Sequence, residues 1–272
     1  MTSALNGAPS VKNSFGAWSR VDLAGTFGVG AFPDGIDYTL TMTHIISHAG
    51  DRVSFNPGRL EGRSPVREIR GRNGTKADVR FFDLDGERVT VKTYAPRGFL
   101  LRNTLGRWLI RRESAAYEAA RGASALPEFL GRLGPHVLAT RWVEAEPLRE
   151  RVGDVVDESI FERLSEAVDE IHDRGVALAD LHHRDVLLGD DESLYIVDLA
   201  TAWVLGEKPG PIRRRLFERF RESDRVNLAR MRARFTGGDV DAAVASVSTA
   251  AAAWHRRGRK VKDVLNRLRG KR

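Results

Sequence analysis

The chain of 272 residues has no cysteine, a net charge of +7 and a pI near 10.0. Without cysteine it forms no disulfide bond, has no disulfide-linked partner and offers no zinc–thiolate site or thiol nucleophile, a composition typical of a reducing compartment. No segment has the roughly 20 consecutive apolar residues that cross a bilayer, and the first residues lack a signal-peptide pattern, so we expect a cytoplasmic protein.

The first 62 residues carry no motif that indicates a function. Gly, Ser, Asn and Pro are frequent there, and only the stretch 37–46 has a strand-like composition. We therefore expect residues 1–62 to form a partly flexible N-terminal extension, with one small element that packs on the following domain or binds a partner.

Two glycines precede the first clear hairpin signal of the chain. Gly71 and Gly74 lie between the strand-like stretch 66–69 and a predicted strand over 78–83. A loop of this kind exposes backbone amides that can cover the phosphates of a nucleotide. An ordinary hairpin turn would have a similar sequence, so both interpretations stay open.

The hairpin that follows places a lysine on one face of a strand. Asp85-Gly86 is a turn signal, and the valines after it alternate with polar residues, so Lys92 is predicted to point away from the valine face. A helical pattern around Glu113 comes next and brings a carboxylate within reach of this lysine. Glu118, five residues later, is the second candidate partner.

Three aspartates follow in a fixed order near residue 190. Asp180 and Asp185 precede the apolar stretch 186–188, and Asp198 ends a second apolar stretch, 195–197. These stretches predict two short buried strands joined by a polar turn, which brings the three carboxylates to one end of the hairpin. Carboxylates in such a group repel each other unless a cation lies between them, and they suit Mg²⁺ that is shared with phosphate oxygens.

A strand lysine, a helical glutamate, a loop aspartate with a second one five residues later, and a strand-end aspartate eighteen residues after the first together resemble the protein-kinase-like phosphotransferases. Within that superfamily the chain is most similar to the lipopolysaccharide kinases and the RIO-type atypical kinases. Their loop typically reads His-Gly-Asp-Leu-His-x-x-Asn, and residues 178–185 here read Leu-Ala-Asp-Leu-His-His-Arg-Asp. The resemblance covers roughly residues 65–235.

The resemblance implies an α+β, bilobal protein-kinase-like fold. The small β-rich N-lobe would span residues 63–143 and the larger helical C-lobe residues 144–240, followed by a basic helical tail over 241–272. It also implies ATP and Mg²⁺ as cofactors, with Asp180 as the catalytic residue that accepts the proton of the attacking hydroxyl. The nucleotide would be bound by Lys92, Glu113, Gly71 and Gly74, and the metal by Asp185 and Asp198.

The chain departs from the pattern of this family in four features, one of which is the poorly formed glycine-rich loop at Gly71 and Gly74. Leu178 replaces the usual histidine, Asp185 replaces an asparagine, and Leu199-Ala200 replaces Phe-Gly. Asp185 still offers an oxygen ligand, but it adds a negative charge beside a triphosphate. A catalytically weak or inactive pseudokinase that acts as a binding module is therefore one alternative function.

The positive charge is concentrated in three predicted helical segments. Residues 95–112, 212–235 and 255–272 carry net charges of +5, +6 and +8, and the rest of the chain therefore carries −12. This distribution favours an anionic partner. In the first segment one helical face is predicted to hold apolar residues, namely Leu101, Leu105, Trp108 and Leu109. This pattern is typical both of a helix that lies in a membrane interface and of a helix packed on the N-lobe with solvated arginines, so both interpretations stay open.

These observations favour a phosphotransferase that acts on a hydroxyl of a sugar or lipid-linked acceptor at the cytoplasmic membrane face. Its expected partners are ATP and an anionic membrane surface or a lipid-linked glycan. A RIO-like Ser/Thr protein kinase is the second alternative function, with nucleic acid or the ribosome as its partner. His182 and His183 are adjacent and predicted to diverge, so we expect no zinc site there, and His172 is expected to end its helix partly exposed.

Overall fold

The computed structural model describes residues 26–32, 36–41, 55–151 and 156–248. Within these ranges the protein has a mixed α+β architecture, so the predicted α+β class is confirmed at this level. The strands are β1 (Thr26–Phe32), β2 (Ile36–Thr41), β3 (Arg67–Ile69), β4 (Asp78–Leu84), β5 (Glu87–Thr93), β6 (Phe129–Gly134), β7 (Val137–Arg141), β8 (Glu146–Pro147), β9 (Val176–Ala177), β10 (Val186–Leu188), β11 (Leu194–Ile196) and β12 (Trp203–Val204).

The helical elements lie beside the sheet and after it. The α-helices are α1 (Phe99–Leu101), α2 (Arg107–Ala119), α3 (Glu158–Asp173), α4 (Pro211–Thr236) and α5 (Val240–Val247), and a π-helix, Arg102–Gly106, joins α1 to α2. Short 3₁₀ turns lie at Pro57–Leu60, Leu148–Arg151 and Leu199–Thr201. No helix in the described part of the chain is long and apolar enough to span a membrane.

Five strands form an antiparallel sheet in the order β3-β4-β5-β7-β6. The predicted hairpin is strands β4 and β5, and its turn residues Asp85 and Gly86 both have positive φ, as a tight two-residue hairpin turn requires. Along β5 the side chains of Val89 and Val91 are buried and Lys92 lies on the opposite face. The predicted orientation of Lys92 is therefore confirmed.

The valine face of the sheet packs against a segment that precedes it in the chain. Phe55 and Leu60 are buried together with Phe82, Val89 and Leu130. The end of the predicted extension, residues 1–62, thus contributes to the core of this sheet. Burial of the Phe55 and Leu60 side chains contributes on the order of 2 kcal/mol each to the free energy of unfolding and so stabilises the sheet.

A second and larger core joins the other face of the sheet to the helices. It contains Ile110 of α2, Leu138 of β7, Leu164 of α3 and Met231 of α4. Helix α3 begins at the N-cap Asp157, whose carboxylate accepts a hydrogen bond from the backbone amide of Ser159. Helix α3 and the following short strands then hold the loop that carries Asp180.

Outside this framework, strands β1 and β2 form a separate antiparallel pair. Strand β2 lies within the stretch 37–46 that was predicted as strand-like, apart from its first residue, Ile36, whereas β1 was not anticipated from the sequence. The other residues up to 54 lie outside the described residues, and so does the predicted basic tail beyond Ser248.

The predicted apolar face of the first basic segment is not formed as expected. Leu101 and Leu109 pack against the large core, whereas Leu105 and Trp108 are exposed. The reason is the π-helix between α1 and α2, because its wider turn shifts the helical register. The π-turn ends at Gly106, where an added Cβ would lie 2.8 Å from Cβ of Tyr94 and so could not fit.

Candidate active site

The centre of the site is a lysine that bridges two carboxylates. Nζ of Lys92 lies 2.8 Å from Oε2 of Glu113 and 2.7 Å from Oδ1 of Asp198. Lys92 comes from strand β5, Glu113 from helix α2, and Asp198 follows strand β11. Glu118 instead pairs with Arg121, just after the end of its helix, so Glu113 is the partner of the two that were considered.

Burial and charge act in opposite directions on this cluster. Burial alone would lower the pKa of Lys92, but the charges of Glu113 and Asp198 raise it overall, so the lysine stays protonated. The charge of Lys92 in turn holds the pKa of Asp198 below its usual range. Burial raises the pKa of Glu113, against the attraction of the same lysine. Lys92 and Asp198 thus form an ionised contact at neutral pH.

Asp185 lies beside this cluster and forms no ion pair with a described residue. The hairpin of β10 and β11 pairs Val186 with Ile196, and the backbone amide of Val197 donates to the carbonyl of Asp185 over 2.8 Å. Burial, and then the charges of Asp198 and Asp180, raise the pKa of the Asp185 carboxyl to about 7. The predicted gathering of three carboxylates at one end of the hairpin is therefore present.

The stability of the protein should depend on pH through Asp185. In metal-free buffer the native state keeps the Asp185 proton up to about pH 7, whereas the unfolded chain releases it near pH 4, so the free energy of unfolding should fall by about 4 kcal/mol between these values. Asp185→Asn should remove this loss. Urea denaturation across the pH range measures it, and Asp190→Asn in the exposed turn is the control. An equal pH dependence in wild type and Asp185→Asn would contradict the prediction.

The loop that carries Asp180 is anchored from helix α4. Asp224 is fully buried, and its Oδ2 accepts a hydrogen bond from the amide of Leu178 at 2.8 Å and lies 2.9 Å from Nε2 of His172. The expectation that His172 is partly exposed is wrong, because its position in α3 faces α4 in the core. Helices α3 and α4 thus fix the backbone at Leu178, two residues before Asp180.

Sequence reasoning missed Asp224 because it lies in an arginine-rich segment. The signal was its spacing, since Asp224 is seven residues after Phe217 and four before Leu228, both buried in the same helix. A carboxylate on the apolar face of a helix is costly to bury and so indicates a hydrogen-bonding role. Leu178 itself is buried in the large core, so its departure from histidine changes the packing behind the loop.

Ala179 holds the strained backbone of this loop. Its φ is +67°, a left-handed conformation that glycine adopts freely and alanine does not. Glycine is also the residue at this position in the family loop that residues 178–185 resemble. We expect Ala179→Gly to raise the free energy of unfolding by about 0.5–1 kcal/mol, measured by chemical denaturation. Ala115→Gly, on the exposed face of α2, should instead lower it by about 1 kcal/mol.

The predicted glycine loop connects strands β3 and β4 and folds back on itself. The amide of Gly71 donates to Oδ1 of Asp78 at 2.8 Å, and Arg97 pairs with the same carboxylate while donating to the carbonyl of Lys76. A Cβ at Gly71 would lie 2.5 Å from that carbonyl, so only glycine fits, whereas Gly74 has open space around it. The charge of the exposed Lys76 in this loop helps to lower the pKa of Asp198. The Lys76 ammonium therefore acts on the candidate site.

The carboxylates of Asp185 and Asp198 fit a metal that arrives with its own ligands. Among the residues that the structure describes, no group of three or more His, Asp or Glu side chains could hold a metal by itself. Mg²⁺, however, is typically bound through one or two carboxylates together with phosphate oxygens and water. Burial first, and then the charges of Asp198 and Asp180, raise the pKa of Asp185, and such a cation would offset these charges.

The two histidines after Asp180 do not diverge as predicted. The rings of His182 and His183 lie 4.0 Å apart between centroids, and His183 also contacts Phe235 of helix α4 at 5.9 Å. Burial, and then the neighbouring His182, lower the pKa of His183 to about 4, so its ring is neutral. The contact with Phe235 turns the ring of His183 towards α4 and keeps the two rings together.

Comparison of the sequence with protein-family models and with curated proteins finds no match.

Proposed function

We propose that the protein is an ATP- and Mg²⁺-dependent phosphotransferase with a bilobal protein-kinase-like fold, similar to the lipopolysaccharide kinases. It transfers the γ-phosphate of ATP to a hydroxyl of a sugar or lipid-linked acceptor at the cytoplasmic membrane face. The observation that carries the proposal is the contact of Lys92 with both Glu113 and Asp198. These residues come from a sheet, a helix and a loop that are far apart in the chain.

The charges of the site suit a nucleotide that brings its own cation. The ammonium of Lys92 contacts the carboxylates of Glu113 and Asp198, and the charges of Asp198 and Asp180 act on the neighbouring Asp185. A triphosphate alone would add to this excess of negative charge. A bound Mg²⁺ would supply the positive charge that neutralises the phosphates. Asp185 and Asp198 are the residues that would hold it.

Each side chain then has a defined task. Lys92, kept in place by Glu113, donates hydrogen bonds to the α- and β-phosphate oxygens. The loop from Gly71 to Lys76 covers the phosphates, and Lys76 adds a second positive charge there. The exposed carboxylate of Asp180 accepts the proton of the acceptor hydroxyl as it attacks. Such transfer depends on positioning and charge neutralisation more than on a strong base.

A pseudokinase is the second candidate, and Asp185 is the observation that favours it. A carboxylate at this position keeps its proton up to about pH 7, which opposes metal binding below that pH. The variant Asp185→Asn separates the two functions. Phosphate transfer within about tenfold of wild type marks an enzyme in which residue 185 is a working ligand. Transfer that exists only in the combined variant Asp185→Asn, Leu178→His marks a degenerate kinase.

The test measures binding and transfer separately. Calorimetric titration with ATP should show binding that requires Mg²⁺, and γ-labelled ATP should label a sugar or lipid-linked acceptor from a panel that also contains basic proteins. ATP binding that is indifferent to Mg²⁺ would contradict the proposal. Labelling of Ser or Thr in proteins alone would support the RIO-like alternative instead.

A further inference from the structure

The first part of an unusual surface lies where the chain enters helix α2. Phe99 and Leu100 are 70% and 76% exposed, and Trp108 is 53% exposed. Arg107 and Arg111 are exposed between and beside them, and neither forms an ion pair with a described residue. Large apolar side chains exposed as a group, next to free positive charge, are typical of a binding surface.

The second part lies at the first turns of helix α4. Ile212 is 76% exposed and Leu216 is 41% exposed. Three exposed arginines accompany them, none with a carboxylate partner in the described part of the chain, namely Arg214, Arg215 and Arg219. This end of α4 therefore repeats the combination of aliphatic side chains and arginines.

The segment 201–204 holds both parts side by side. Arg112, whose guanidinium lies 5.0 Å from the ring centroid of Trp108, donates to the carbonyls of Thr201 and Ala202 at 2.6 and 2.9 Å. Arg213, next to Ile212, donates to the carbonyl of Val204 at 2.7 Å. Ala202 and Val204 are two residues apart, so the carbonyls that bind Arg112 and Arg213 are separated by about 7 Å of backbone.

The same segment connects this surface to the candidate active site. It begins three residues after Asp198, and its strand β12 pairs with β9, in which Ala177 lies three residues before Asp180. A partner bound to the surface would therefore lie next to the catalytic loop.

We propose that the surface formed by these two parts, hereafter the arginine–apolar surface, docks on an anionic lipid membrane. The arginines complement the charge of the headgroups, and the aliphatic and aromatic side chains enter the interface. Nucleic acid is a poorer fit, because three of the five exposed apolar side chains, Leu100, Ile212 and Leu216, have no ring on which a base could stack. A second copy of the chain would bring the same positive charge against itself. The inference rests on the proposed function in one respect, that an acceptor in the membrane would face Asp180.

Flotation of the full-length protein with vesicles tests the surface. Vesicles of phosphatidylcholine and phosphatidylglycerol should bind the protein. Vesicles of phosphatidylcholine alone should bind it at least about tenfold more weakly. Raising the salt concentration should weaken binding without abolishing it, because the apolar contribution is not screened. Leu100→Ser combined with Trp108→Ser should lower the high-salt binding at least about tenfold, and Ile212→Ser should lower it further.

Controls separate the surface from exposed apolar residues elsewhere in the protein and from catalysis. Val66→Ser removes an aliphatic side chain that is 61% exposed elsewhere, and it should leave vesicle binding unchanged. Asp198→Ala should also bind vesicles as wild type does, so a failed phosphotransferase assay with intact vesicle binding refutes only the proposed function. Unchanged binding in the Leu100, Trp108 and Ile212 variants, or binding to RNA with none to vesicles, would overturn the membrane proposal. Blue-shifted tryptophan emission on vesicle binding, lost in Trp108→Phe, would support it.

Discussion

Replacing Asp180 with asparagine should lower the rate of γ-phosphate transfer by about 10²- to 10⁴-fold while ATP affinity stays within about twofold. The Asp180 side chain is exposed at the end of the anchored loop, and it takes no part in the contact between Lys92 and Asp198. Loss of its carboxylate therefore removes the proton acceptor and leaves nucleotide binding intact. Single-turnover transfer measured beside calorimetric ATP titration separates these two effects.

The control makes the same chemical change on the adjoining hairpin. Asp190 lies in the exposed turn between β10 and β11, so Asp190→Asn should change neither the transfer rate nor the ATP affinity. A transfer rate in Asp180→Asn that matches wild type would refute the catalytic role of Asp180. A large loss of ATP affinity in that variant would instead place Asp180 among the metal ligands.

The local part of the site could be predicted from the sequence because it depends on periodicity and turn chemistry. The turn at Gly86 and the alternation along β5 decide which face Lys92 occupies, and both are properties of neighbouring residues. The two apolar stretches before Asp198 likewise predict a hairpin, although strand β11 begins one residue earlier than expected, at Leu194. The meeting of Lys92 with Glu113 followed from the spacing of a strand and the next helix.

The features that sequence reasoning missed depend on contacts between distant elements. The π-helix before α2 lets Gly106 approach Tyr94, and nothing in residues 99–110 alone indicates that Tyr94 lies there. The buried contact of His172 with Asp224 joins residues 52 positions apart. Tertiary packing therefore overrides the local pattern at both places. The first changes which apolar residues reach solvent, and the second fixes the loop that carries Asp180.

Asp198→Ala should abolish Mg²⁺-dependent ATP binding, with a loss of about 10²-fold or more in affinity. The variant removes one of the two carboxylates that we propose bind the metal. It also removes the acceptor of the hydrogen bond from Lys92, which then keeps Glu113 as its only carboxylate partner among the described residues. Because the Asp198 charge contributes to the high pKa of Asp185, the pH dependence of stability that Asp185 causes should become smaller in the same variant.

Two measurements on one protein therefore test the assignment of Asp198. ATP titration with and without Mg²⁺ reports the metal site, and denaturation across the pH range reports the carboxylate cluster without any ligand. Asp85→Asn is the matched control, since Asp85 lies in the exposed β4–β5 turn, pairs only with Arg63 among the described residues and should alter neither result. Equal Mg²⁺-dependent affinity in wild type and Asp198→Ala would refute the metal-binding role. A changed pH dependence alone would show that the cluster exists without binding a nucleotide, which is the behaviour expected of a pseudokinase.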